Sequence, residues 1–164
     1  MAREHEAGRL YDEFGASLFR YALMILADRE AAEDAVHHVF AALVHKGTGQ
    51  LGQPENYLRR AVRNACYSAL RERSAAQRRS DPGSDALLET IPGTPGVSQE
   101  MRLAMEAAIR ELPPDQREVL HLHAFEGRTF REVADLTSAP LNTVASRYRY
   151  AIERLRTVLT GEQR

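Results

Sequence analysis

Apolar residues recur at spacings of three and four through most of this chain of 164 residues. In the first stretch Leu10, Phe14, Leu18, Tyr21 and Ile25 fall on one side of a helical repeat, which predicts a helix over Leu10–Ala27. Asp28 is placed to cap a second helix, its carboxylate accepting from a first-turn N–H, and the stripe of that helix is Ala32, Val36, Val39, Phe40 and Leu43. Gly47 to Pro54, GTGQLGQP, reads as a loop closing on a helix-starting proline. Beyond it Leu58, Ala61, Val62, Ala65, Ala69 and Leu70 predict the buried face of a third helix. No convincing alternating run is present, so this half predicts a small helical bundle.

The second half also reads as helix. Met101–Leu112 forms one helix, ended by Pro113-Pro114, and Asp115 can cap the next, which runs to Phe125 and stops at Gly127. Thr129-Phe-Arg-Glu132 has the spacing of a capping box, in which hydroxyl and carboxylate each satisfy an orphan backbone donor of a first turn. The short helix it opens ends near Leu136. After Thr137-Ser-Ala-Pro140 a long helix carries Leu141, Val144, Tyr148, Ala151, Ile152, Leu155 and Leu159 on one face. A short helix, a tight turn and a longer helix make a helix-turn-helix. The predicted fold class is therefore all-α, as two small helical domains at 1–79 and 98–164. Between them 80–97, SDPGSDALLETIPGTPGV, has Gly or Pro at six of eighteen positions and reads as a flexible linker. Its Leu87, Leu88 and Ile91 are the exception, an apolar cluster able to dock on a domain.

Charge sharpens this division. The formal net charge is only −1, yet residues 55–79 carry 7 Arg against 2 Glu and residues 127–164 carry 7 Arg against 4 acids, while 1–46 and 80–126 are acidic. Two basic blocks in an otherwise acidic chain suit two contacts with a polyanion; two solvated helix faces would give the same pattern. No run approaches the ~20 apolar residues of a membrane helix. The start lacks the apolar stretch of a signal peptide, so the expectation is a cytoplasmic protein with no membrane insertion. Cys66 is the single cysteine, which excludes an internal disulfide and a cysteine zinc cluster. His37, His38 and His45 share the second helix, but converging ligands and an HExxH pattern are lacking, so no metal and no cofactor is expected. Glu33 stands four before His37 and Asp34 four before His38, spacings that suit local ion pairs. Phosphate-loop, dinucleotide and nucleophile-elbow signatures are absent, and Cys66 sits among apolar neighbours, so no enzyme is expected.

Two constellations remain. On the last helix Asn142, Thr143, Ala145, Ser146, Arg147, Arg149 and Tyr150 present short donors and acceptors followed by arginines, the groups that read base edges and phosphates from a helix N-terminus in a major groove. An ordinary helical hairpin with a polar face is the plainer alternative. On the third helix Arg60, Arg63, Asn64, Tyr67 and Arg71 lie opposite the apolar stripe. Cations interleaved with an aromatic suit a backbone-tracking surface on which an unstacked base packs; a solvated surface helix is again the alternative.

In order along the chain stand Ala32-Glu-Asp-Ala-Val-His-His-Val-Phe40, Pro54-Glu-Asn-Tyr-Leu-Arg-Arg-Ala-Val-Arg-Asn64, Leu112-Pro-Pro-Asp-Gln-Arg-Glu-Val-Leu120 with Phe125-Glu-Gly127, and Thr143-Val-Ala-Ser-Arg147. With these four motifs the chain resembles, from about Leu10 to Leu159, the extracytoplasmic-function (ECF) sigma factors of bacterial RNA polymerase. The resemblance implies a region-two bundle at 1–79 and a region-four helix-turn-helix at 98–164. It implies docking on core RNA polymerase through Glu33, Asp34, His37 and His38. It further implies capture of melted minus-ten promoter DNA by Arg60, Arg63, Asn64, Tyr67 and Arg71, and a grip on minus-thirty-five duplex by Thr143, Ser146, Arg147 and Arg149. An anti-sigma factor is the implied restraining partner. His37-His38 stands where the family usually has Gln-Glu, Ser68 where it has Asp, and Leu141, Asn142 and Ala145 where it has Glu, Gly and Lys. Two other readings are a stand-alone helix-turn-helix regulator and a degenerate sigma-like adaptor working through protein contacts alone.

Overall fold

The structure is a computed structural model that describes residues 1–49, 51–76, 93 and 95–161. It divides into two compact units, Met1–Gly83 and Ser84–Arg164. Of the linker predicted at 80–97, only 93 and 95–97 fall among the described residues, and Leu87, Leu88 and Ile91 lie outside them. All regular structure among the described residues is helical.

The N-terminal unit holds α1 (Ala2–Leu26), α2 (Arg29–Lys46) and α3 (Pro54–Ala76), each packed on the other two. Helix α1 begins eight residues before the periodicity predicted. Its early turns carry little apolar residue, but they are tied to the end of α2 and the loop after it: Arg3 donates to the His45 carbonyl and Thr48 donates its hydroxyl to Glu6. Of its predicted stripe Leu18, Tyr21 and Ile25 are fully buried and Leu10 and Phe14 half-buried. Gly15 admits a close approach, because the Tyr11 ring lies 3.4 Å from where a Cβ would stand. That ring meets Phe40 of α2 edge-on at 5.1 Å. Ala27 ends α1 in the left-handed region, φ 52°. Asp28 then starts α2 as the sequence predicts, accepting from the Ala31 N–H at 3.1 Å. Its other oxygen takes Arg73 of α3 at 2.8 Å, which ties the start of α2 to the end of α3.

All five predicted stripe residues of α2 are buried. On α3 the buried line is Leu58, Val62 and Cys66, joined by Arg59, whereas Ala61, Ala65, Ala69 and Leu70 are only half-buried. The larger side chains reach the core and the alanines flank it, leaving a groove along α2.

The C-terminal unit holds α4 (Gln99–Arg110), α5 (Pro114–Leu120), α6 (Phe130–Thr137) and α7 (Leu141–Thr160), with α7 packed on the other three. Helix α4 starts two residues before the predicted Met101, since Ser98 caps it by accepting from the Met101 N–H at 3.1 Å. Pro113, not Asp115, stands at the N-cap of α5; Asp115 lies inside the first turn. The predicted end at Phe125–Gly127 is reached through a wider π-helical turn, His121–Phe125, with Glu126 N–H on the His121 carbonyl at 2.9 Å. Gly127, at φ 73°, then turns the chain into α6, a backbone conformation that a side chain would strain. The capping box at Thr129 and Glu132 forms as predicted. Leu141 was expected on the buried face of α7 but is 45% exposed, since it occupies the first turn, beyond the reach of the core.

Candidate nucleic-acid and protein interfaces

Helix α2 packs on both α1 and α3, and its exposed side carries Glu33 and His37 toward one edge and Asp34 and His38 toward the other. Glu33 and His37 therefore line a groove of about 540 Å³ against α1, with Tyr11, Phe19 and Arg29. Asp34 and His38 line one of about 650 Å³ against α3, with Tyr57, Asn64 and Ser68. The four residues expected to form one face all lie on the exposed side of α2, with a groove at either edge. The local Glu33–His37 pair expected from spacing does not form. Glu33 instead takes Arg29 at 3.5 Å, with both side chains about half exposed. Nor does Asp34 form an ion pair with His38 among the described contacts.

On α3 the basic block sorts into roles. Arg59 is turned inward, 3% exposed, with its guanidinium 5.6 Å from the centre of the Tyr21 ring. Arg73 is engaged by Asp28. What stays outward is the predicted set: Arg60, Asn64 and Arg71 are exposed, and Arg63 and Tyr67 half-buried. The Arg63 guanidinium lies over the Tyr67 ring at 4.5 Å, and Arg71 donates to the Ser68 hydroxyl at 3.0 Å. A cation stacked on a ring keeps both groups ordered on a helix face, where a base can stack and a phosphate can pair.

In the C-terminal unit α6 and α7 form the helix-turn-helix, their turn set by Ser138 at φ 53° with the Ala139 N–H on the Ala134 carbonyl at 3.1 Å. The segment before α6 is fixed by two histidines, His121 and His123. His121 meets Glu126 at 3.1 Å, and Glu126 also takes Arg128 at 3.1 Å. His123 bonds the Arg128 carbonyl at 2.7 Å, its ring lying 4.3 Å from Phe130 and 4.7 Å from Tyr148. The π turn brings these pairs into reach. Among the predicted contact residues Arg149 is exposed, its guanidinium 5.2 Å from the centre of the Tyr150 ring, and Thr143 and Ser146 are half-buried. Arg147 turns back to α5, its Nε 3.2 Å from the Asp115 carboxylate. Sequence reasoning missed Asp115 as its partner, since no local signal links residues so far apart in the chain.

No group of His, Cys, Asp and Glu able to hold a metal is found among the described residues, and no described helix is long and apolar enough to cross a membrane. Residues 10–76 match the family described as Sigma-70 region 2, and residues 102–155 match Sigma-70, region 4. The chain is 31% identical over 160 residues to the ECF RNA polymerase sigma factor SigL of Mycobacterium tuberculosis, across 92% of this chain and 86% of that one. To SigM of Bacillus subtilis, also an ECF RNA polymerase sigma factor, it is 22% identical over 150 residues, across 89% and 92%. Among solved structures it is similar to the sigma factor RpoE from Bartonella quintana, in complex with the anti-sigma factor NepR. The TM-score is 0.70 at 20% identity, across 95% of this chain and 98% of that one. Two family matches on the two units, in the order the motifs stand, place the chain in the sigma-70 family among the ECF sigma factors, the alternative sigma factors of transcription initiation.

Proposed function

We propose that the chain recruits core RNA polymerase to promoters by three separate surfaces and carries no catalytic step. Helix α2 docks on the polymerase through Glu33, Asp34, His37 and His38, using the grooves on its two flanks. Helix α3 captures melted single-stranded minus-ten DNA with Arg60, Arg63, Asn64, Tyr67 and Arg71. The helix-turn-helix grips minus-thirty-five duplex through Thr143, Ser146 and Arg149, with Arg147 beside them on α7. Residues 80–97 join the two domains, 1–79 and 98–164. The protein works in the cytoplasm, where promoter and polymerase are. An anti-sigma factor holds it in reserve, a reading supported by the similarity to a sigma factor seen in complex with one.

The observation that carries this reading is the Arg63–Tyr67 stack at 4.5 Å on the outward side of α3. A ring held by a cation offers a platform for an unstacked base, and stacking of this kind contributes about 1–3 kcal/mol per base. Permanganate reactivity of promoter thymines tests it with wild-type and Tyr67→Ala chains bound to core polymerase. Tyr67→Ala is expected to keep polymerase binding and lose promoter melting about tenfold or more. Full melting by the variant would remove α3 from the DNA-capturing role.

A further inference from the structure

On the basis of the duplex-binding role proposed above, we propose that Asp115 and Arg147 are positioning residues: a clamp between α5 and α7 that sets how α7 enters the groove, with neither side chain touching DNA. Val144, Ala151 and Leu155 mark the packed side of α7. Arg147 follows Val144 by three and precedes Ala151 by four, so it stands at the edge of that packed side. Ser146, Arg149 and Tyr150 step round to the other. The geometry agrees, for the Arg147 side chain is 28% exposed and its Nε reaches Asp115 Oδ2 at 3.2 Å.

The carboxylate is itself fixed. Its Oδ1 accepts the Gln116 N–H at 2.9 Å, so Asp115 is held to the backbone of α5 while it holds Arg147. A cation already matched by a carboxylate releases little counterion on approaching phosphate. Arg149, exposed over Tyr150, keeps its charge for that purpose. The clamp sits one residue from Ser146 and one turn from Thr143, the short side chains whose depth in a groove depends on the pitch of α7.

The sign of one substitution decides the matter. The full chain, bound to core polymerase, first selects its preferred duplex from a pool randomised in the central base pairs, and that duplex is the probe. Asp115→Ala and Arg147→Ala are each expected to weaken binding about three- to tenfold, and the double variant no more than either alone. The dependence of affinity on salt keeps its slope in all three. Exchanging the pair, Asp115→Arg with Arg147→Asp, restores binding to within about twofold. Asp115→Asn, which keeps an acceptor for the Gln116 N–H, weakens binding as Asp115→Ala does. Thermal unfolding of the single variants stays within a few degrees of wild type, as for other exposed pairs.

If Arg147 contacts DNA directly, Asp115→Ala tightens binding instead, because a negative charge leaves the interface. Arg147→Ala then flattens the salt slope by about 0.9, one phosphate contact. Either result overturns the clamp, as does a properly folded exchanged pair that stays weak. If the exchanged chain melts early, Asp115→Asn alone still gives the sign. A wild-type complex that selects no duplex at all defeats the duplex-binding role before any variant is made, and the clamp with it.

Discussion

The two units hold themselves together by different means. The N-terminal unit rests on three long helices of 25, 18 and 23 residues, whose apolar stripes meet in a core. Among the described residues its buried polar side chains are Thr48, on Glu6 at the loop, and Arg59, over the Tyr21 ring, while Asp28 with Arg73 joins helix ends. In the C-terminal unit α5 and α6 have 7 and 8 residues, too short to bury a full stripe. There Glu106, Arg117, Glu118, His121 and Thr137 are buried among the apolar side chains. Arg117 bonds the carbonyls of Arg110 and Leu112, satisfying the end of α4 as well as holding α5 to it. A domain of short helices gains from such buried networks directional contacts that apolar packing does not supply.

This contrast can be broken by substitution. The largest effect is expected from Leu58→Ala, which opens a cavity where α3 meets the N-terminal core and costs about 3 kcal/mol. Urea unfolding should show that loss in the N-terminal unit and leave the C-terminal unit's transition in place. Next stands Arg117→Ala, expected to destabilise the C-terminal unit by about 2 kcal/mol, because buried carbonyls lose a charged donor. A loss below about 0.5 kcal/mol would mean that apolar packing carries this unit too. Asp28→Ala removes a cap and a partly buried ion pair together and should cost about 1–2 kcal/mol in denaturant titration. Asp28→Ser, which keeps the cap, should recover part of it. The smallest effect is a gain: Ala27→Gly relieves a left-handed alanine and should stabilise the N-terminal unit by about 0.5–1 kcal/mol.

The same contrast explains what could be read from the sequence. Periodicity finds long stripes, so α2 and the core half of α1 were legible, and Asp28 and Thr129 announced their caps. The first turns of α1 were not, because Arg3 and Glu6 hold them to the end of α2 and its following loop, more than forty residues away, rather than by a stripe. Leu141 misled for the opposite reason, an apolar residue in phase with the stripe but past the end of the core. Charge counting overstated the basic block of α3. Arg59 and Arg73 are spent on the fold, and only the geometry separates them from Arg60, Arg63 and Arg71. The candidate residues were legible as residues, but not their pairing. Glu33 with Arg29, Arg63 with Tyr67 and Arg147 with Asp115 depend on rotamers and tertiary neighbours that spacing leaves open.

The central claim is that this chain joins core RNA polymerase and directs it to promoters. Co-elution of the purified full chain with core polymerase, followed by run-off transcription from a pool of genomic promoter fragments, tests it most directly. The account predicts a stable complex and transcripts that start at a shared upstream sequence and vanish when the chain is omitted. A chain that never co-elutes, or a complex whose transcripts are the same with and without it, would contradict it.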